Sequence, residues 1–306
     1  MTISSERLGR VLSIVAVLTA SPWSAPSLQA AEPVSTTVTV ETSRGEFDLE
    51  IYAPAPSPLP AHARSSTPAL SPAPSLAPAP SSSSTPPPAA APRPGPVVLL
   101  ISGEGGWKSF DILLSGWLSA EGYWVGGVDA KAYFSDPQDD RGLLAGDIRA
   151  YVAALQKAAG RPADEGVILM GYSFGADLAP WIAGAAGWAG RVRGLVLVGP
   201  DEDGSLQYRI TEMLGINYKS HSFLVADALR SSAGIPTLFL HGGKDGWSAA
   251  PKLLEVTGEP KKLVVVPGAT HHFSGHEVEL RAALRDGMNW ILGSHGQAAT
   301  PARTAH

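Results

Sequence analysis

Three residues beyond position 170 are of the types, and in the order, that nucleophilic ester chemistry needs. Ser173 stands in Gly171-Tyr172-Ser173-Phe174-Gly175, directly after the apolar run Val167-Ile168-Leu169-Met170 and before helix-forming Ala176-Asp177-Leu178-Ala179. A strand that turns sharply into a helix through G-x-S-x-G lifts the serine hydroxyl above the sheet, because the glycines turn without a Cβ clash. The helix N-terminus beneath it favours negative charge. A hydroxyl needs a base to take its proton, and the base needs an acid to orient it. Asp245, in His241-Gly242-Gly243-Lys244-Asp245, and His271, in Pro267-Gly268-Ala269-Thr270-His271-His272-Phe273, follow the serine in that order. Each lies just past an apolar run, as Ser173 does.

Neighbours compete for these roles. The Gly-Ala-x-His spacing from Gly268 selects His271 as base and leaves His272 to line the pocket or bond to the loop. His241 reads as a packed histidine at the end of a strand. Asp201 and Asp203 follow the run ending at Gly199 and are the alternative acids to Asp245. An oxyanion hole needs backbone N–H groups aimed at the developing charge. Phe174, after the nucleophile, supplies one. Ser102-Gly103-Glu104-Gly105-Gly106-Trp107 offers the second at Glu104, with Gly105 in reserve. The Glu104 side chain has two readings, a solvent-facing loop acid or a contact for a cationic part of a substrate. No metal is expected, since adjacent histidines rarely point at one ion. No cofactor is expected either: Gly103, Gly105 and Gly106 are too close together for a dinucleotide fingerprint.

The elements that must hold these residues are short apolar runs at 97–101, 123–128, 167–170, 195–198, 237–240 and 263–266. Helix-compatible stretches lie between and after them at 147–158, 174–186 and 277–292. Continuously apolar strands alternating with helices imply a mostly parallel central sheet with helices on both faces. Residues 36–42 and 47–52 alternate with period two around Ser43-Arg44-Gly45, an antiparallel hairpin ahead of that sheet. With the elbow at Ser173, this describes an α/β-hydrolase fold over residues 32–294.

The remaining segments read differently. Of 27 prolines, 15 fall between Pro54 and Pro96, in a Pro/Ala/Ser tract too poor in large apolar residues to offset its ordering entropy. It is expected as a disordered insertion over 53–96. Arg7 and Arg10 precede an apolar run at 11–20 and a small-residue exit at Ala30-Ala31, the pattern of a secretory signal peptide over 1–31. Residues 295–306 are expected to form a flexible tail. The chain has 306 residues, a formal charge of −5 and no Lys/Arg-rich run, which argues against nucleic acid as a partner. With no cysteine, disulfides and thiolate chemistry are excluded.

Taken with Ser102-Gly103-Glu104-Gly105-Gly106-Trp107 and His271-His272-Phe273, the sequence Gly171-Tyr172-Ser173-Phe174-Gly175-Ala176-Asp177 resembles the bacterial virulence proteins AcvB and VirJ. The resemblance runs from about residue 45 to 292, interrupted by the Pro-rich tract. It implies a periplasmic serine esterase that hydrolyses the aminoacyl ester of aminoacyl-phosphatidylglycerol at the membrane surface. It also implies a link to type IV secretion. Under that reading Asp177 or Glu104 meets the substrate ammonium, while Gly105, Trp107 and His272 line the binding site. Trp181, Trp247 and Phe273 are further candidates for a membrane-facing mouth. Glu104 replaces the family's usual aspartate, and Lys244-Asp245-Gly246-Trp247 lacks a cysteine common in relatives. Two other functions fit: a general carboxylesterase similar to dienelactone hydrolases, acting on soluble esters, and a non-catalytic periplasmic factor of a secretion system.

Overall fold

The computed structural model describes residues 34–54, 95–188, 190–208 and 221–297. The expected signal peptide, nearly all of the Pro-rich insertion and the last nine residues lie outside the described residues.

Alternating β-branched residues build a hairpin of β1 (Ser35–Thr42) and β2 (Gly45–Tyr52). Then follow β3 (Val97–Ile101), α1 (Ser109–Ala120), β4 (Val125–Val128), α2 (Ala130–Tyr133), α3 (Arg141–Ala158), β5 (Val167–Tyr172) and α4 (Phe174–Ala183). The chain continues through β6 (Val192–Val198), β7 (Asp203–Ser205), β8 (Ser222–Leu224), α5 (Val225–Ser231), β9 (Thr237–Gly242), α6 (Ala250–Val256), β10 (Lys261–Val266) and α7 (Glu277–Gln297). The main sheet has eight strands in the order β1-β2-β4-β3-β5-β6-β9-β10. From β4 to β10 all pairings are parallel, and β2 joins antiparallel to β4. β7 and β8 form a separate antiparallel pair.

Alternation along β3 divides the core. Val97, Leu99 and Ile101 face one layer with residues of α3, α4, α5 and α6, whereas Val98 and Leu100 face the other with residues of α1 and α7. Both faces are covered, which is why these strands are apolar at every position. The central strands β3, β5 and β6 therefore end together at one carboxyl rim, flanked by β4, β9 and β10.

Candidate active site

At that rim the chain leaves β5 at Tyr172 and enters α4 at Phe174, so a single residue makes the turn. Ser173 adopts φ 51° and ψ −118°. The turn is tight enough that a Cβ on Gly171 would stand 2.0 Å from the Gly175 carbonyl oxygen, and one on Gly175 would stand 2.1 Å from the Ile101 oxygen. Both glycines are thus demanded by backbone approach, and the serine between them projects outward.

His271 Nε2 lies 3.0 Å from Ser173 Oγ, and His271 Nδ1 lies 2.8 Å from Asp245 Oδ2. The Asp245 side chain is fully buried. Its other oxygen accepts the N–H groups of Trp247 and Ser248, both at 3.0 Å. With Oδ1 held by two backbone donors, the carboxylate is fixed so that Oδ2 faces the imidazole. The acid and histidine loops are also joined, since Lys244 N–H donates to the Ala269 carbonyl at 2.8 Å. Gly199, at φ +63°, makes room for the ring: a Cβ there would stand 2.9 Å from His271 Cε1.

The neighbours resolve accordingly. His272 turns away from Ser173, with Nδ1 2.8 Å from the Tyr172 hydroxyl. Asp201 Oδ1 accepts its neighbour Glu202's N–H at 2.6 Å, and Asp203 lies exposed in β7, so neither carboxylate holds the imidazole. His241 is a packing residue with a buried Nδ1; burial lowers its pKa. Trp247 is 70% exposed and meets the His271 ring at 5.4 Å between centroids, 63° between planes.

Phe174 buries its ring against Phe134, while its N–H, at the first position of α4, has no intrahelical acceptor. In the loop after β3, Gly106 N–H closes a turn onto the Gly103 carbonyl at 3.0 Å. That bond leaves the N–H groups of Glu104 and Gly105 at the corners of the turn, outside it.

Two expected substrate contacts are corrected. Asp177 is buried within α4, where its Oδ1 accepts the Asp201 N–H at 2.8 Å, and burial raises its pKa well above the carboxylate range. It braces the loop after β6 and cannot meet a ligand. Trp107 lies flat on β4, over Gly127, where a Cβ would stand 2.1 Å from the indole, and its Nε1 donates to the Tyr52 hydroxyl at 3.3 Å. Its ring is held on the hairpin side of the sheet. Trp181 packs against Phe223 beneath Arg141, and Phe273 is buried, which removes both from the mouth. Gly199 and Ser248 are site residues that sequence reasoning missed. The spacing Asp245-x-x-Ser248, a carboxylate three residues before a backbone donor, is the local signal that could have found the second.

The profile of the family described as "Bacterial virulence protein (VirJ)" matches residues 96–290. The chain belongs to the VirJ family. No curated protein matches it closely enough to add to that assignment. Among solved structures, the VirJ chain is similar to a serine hydrolase without a lid from Xanthomonas campestris (20% identity, 87% of this chain and 97% of that one, TM-score 0.51). It is also similar to a dienelactone hydrolase from Anabaena variabilis (16%, 86% and 98%, TM-score 0.52). The esterase domain of a Rhodothermus marinus protein is a third (18%, 82% and 96%, TM-score 0.50). These likenesses establish the α/β-hydrolase fold of this VirJ member.

Proposed function

We propose that this VirJ-family chain is a serine esterase that cleaves the aminoacyl ester of aminoacyl-phosphatidylglycerol at the periplasmic membrane surface. The observation that carries the esterase reading is the unbroken chain from Ser173 Oγ through His271 to Asp245. In the first half-reaction Ser173 Oγ attacks the ester carbonyl as His271 Nε2 takes its proton. Asp245 holds the Nδ1 proton and stabilises the imidazolium. The N–H groups of Phe174 and Glu104 receive the oxyanion, and loss of one such donor typically costs about 3–4 kcal/mol of transition-state stabilisation. Collapse breaks the bond to the lipid hydroxyl, which leaves with the proton from His271. In the second half-reaction water attacks the acyl-serine with His271 again as base, releasing the amino acid and restoring Ser173.

The substrate follows from the family resemblance, and export from the amino-terminal pattern at 1–31. Exposed Trp247 beside the imidazole supports a substrate at an interface, because an indole suits the boundary between apolar chains and water. Val278, 80% exposed at the start of α7, stands just beyond the histidine loop. No helix among the described residues is long and apolar enough to cross a membrane.

Two assays test the proposal. A fluorophosphonate probe is expected to label Ser173, mapped by peptide mass. Vesicles carrying lysyl-phosphatidylglycerol are expected to release lysine faster than the protein turns over a short-chain nitrophenyl ester. Turnover of the nitrophenyl ester alone would assign the chain to soluble esters. A secretion factor without turnover would neither label at Ser173 nor cleave either ester.

A further inference from the structure

Asp177 is a buried carboxyl in the first part of α4, a turn past Ser173, and the proposed reaction does not use it. Its surroundings are costly for a charge. Burial raises its pKa well above the carboxylate range, and the carboxyls of Asp201, Glu104 and Asp203 raise it further. Among the described residues it forms no ion pair, so the neutral carboxyl is the favoured form. An apolar side chain would carry no such burial cost. What an apolar side chain cannot do is accept the Asp201 N–H, which reaches Asp177 Oδ1 at 2.8 Å.

That bond belongs to a run of contacts that joins all three members of the site. On the serine side, the Asp177 N–H donates to the Ser173 carbonyl at 3.2 Å. The Ser173 N–H donates to the carbonyl of Val198, the last residue of β6, at 2.8 Å. The chain then leaves β6 through Gly199-Pro200-Asp201. Gly199 backs the imidazole: a Cβ there would stand 3.2 Å from His271 Nδ1 and 3.6 Å from Asp245 Oδ2. On the acid side, the Ala249 N–H donates to the Pro200 carbonyl at 2.7 Å, one residue after the Ser248 N–H that holds Asp245. Within three residues the loop therefore meets the imidazole, the acid's loop and the nucleophile's helix. Its inner end is tied to β9 by the Gly199 N–H on the Leu240 carbonyl at 3.0 Å. Its tie to α4 is the Asp177 carboxyl.

We infer that Asp177 is a positioning residue, which ties the loop after β6 to α4 and so holds the His271 ring between Ser173 and Asp245. It serves as a hydrogen-bond acceptor and touches no substrate. The inference rests on the serine-esterase reading of the site and is the same whichever ester is cleaved. A reacting group displaced by about 1 Å can lose on the order of a hundredfold in rate, so a slack loop behind the imidazole would be read in kcat.

The test compares Asp177→Ala, Asp177→Ser and Asp177→Asn with the wild type, all as the full chain. Steady-state kinetics on a short-chain nitrophenyl ester give kcat and KM. The low-field proton resonance of the His271 Nδ1–H, assigned with His271→Ala, reports the bond to Asp245. Asp177→Ala is expected to lower kcat at least about tenfold with KM nearly unchanged, and to shift or broaden the resonance. Asp177→Asn keeps an acceptor oxygen and is expected to return both to near wild type. Asp177→Ser is one bond too short to reach the Asp201 N–H. It should behave as Asp177→Ala does, and it decides the matter if Asp177→Ala fails to fold. Wild-type kcat and an unmoved resonance in the alanine and serine variants would overturn the inference. So would a loss confined to KM, or an equal loss in Asp177→Asn. The resonance reads the alignment without turnover. A wild type that neither cleaves the ester nor labels with fluorophosphonate would therefore sink the esterase reading, while the resonance in the variants would still decide whether Asp177 holds the ring.

Discussion

Ser173 sits at φ 51°, a left-handed conformation that costs a non-glycine residue on the order of 1–3 kcal/mol and persists only where its surroundings impose it. The surroundings here are Gly171 and Gly175, and what the strain secures is a hydroxyl 3.0 Å from His271. Replacing Ser173 or His271 with Ala is expected to lower kcat on a nitrophenyl ester by about four orders of magnitude. His272→Ala should lose far less, since its ring bonds to Tyr172 instead; equal losses would reverse the assignment of the base. Gly199→Ala places a methyl 2.9 Å from His271 Cε1. It is expected to cut kcat by about a hundredfold through displacement of the imidazole, and steady-state kinetics beside thermal melts would show whether activity falls more than stability. Asp111 offers a pH test. It is buried near the start of α1, and burial raises its pKa to about 6. A carboxyl whose folded pKa is raised stabilises the fold at pH below its unfolded value, and that contribution is lost as pH rises through the folded one. The Tm of wild type relative to Asp111→Asn is therefore expected to fall between about pH 4 and pH 6 and then level off.

Helix boundaries show how elements place these residues. The periodic apolar face at 147–158 marks α3, yet the helix begins at Arg141, because Asp140 Oδ1 accepts the N–H groups of Gly142 and Leu143 at 2.8 and 2.9 Å. Asp140→Ala is expected to cost about 1 kcal/mol in urea unfolding, with kcat unchanged. α1 was missed outright: its start is closed by Asp111 accepting the Lys108 N–H at 3.1 Å, a device that leaves only a weak sequence pattern. Tyr123 and Trp124 precede β4 instead of joining it, and α7 runs to Gln297, past residue 294 where the tail was expected. At the site the decisive elements are loops. The acid and histidine segments come from neighbouring parallel strands, β9 and β10, whose register carries Val266 to Gly242, so their following loops must meet.

Across the whole molecule, sheet topology separates chemistry from the Pro-rich tract. Tyr52 and Val98 both pair with Val125, one on each side of β4. The chain thus leaves β2 and enters β3 about 10 Å apart, two strand spacings, at the amino end of the parallel strands. Ser173, Asp245 and His271 follow the carboxyl ends. Replacing residues 55–94 with a short Gly/Ser link is accordingly expected to leave Tm and ester turnover near wild type. A collapse of the melting transition would show that the tract contributes to the core.

Local sequence was sufficient for what depends on local physics. Apolar strands separated by amphipathic helices specify a parallel sheet covered on both faces. G-x-S-x-G after a strand specifies a turn only glycines permit, and the order Ser, Asp, His follows from which strands end where. Proximity in space is another matter. Asp245 rather than Asp201 meets the imidazole because Trp247 and Ser248 fix its carboxylate. Asp177 and Trp107 are withdrawn from any substrate because one lies under the loop after β6 and the other on Gly127. Such pairings arise only when the sheet closes, because hydrogen bonds and burial act over a few ångströms and take no account of sequence separation.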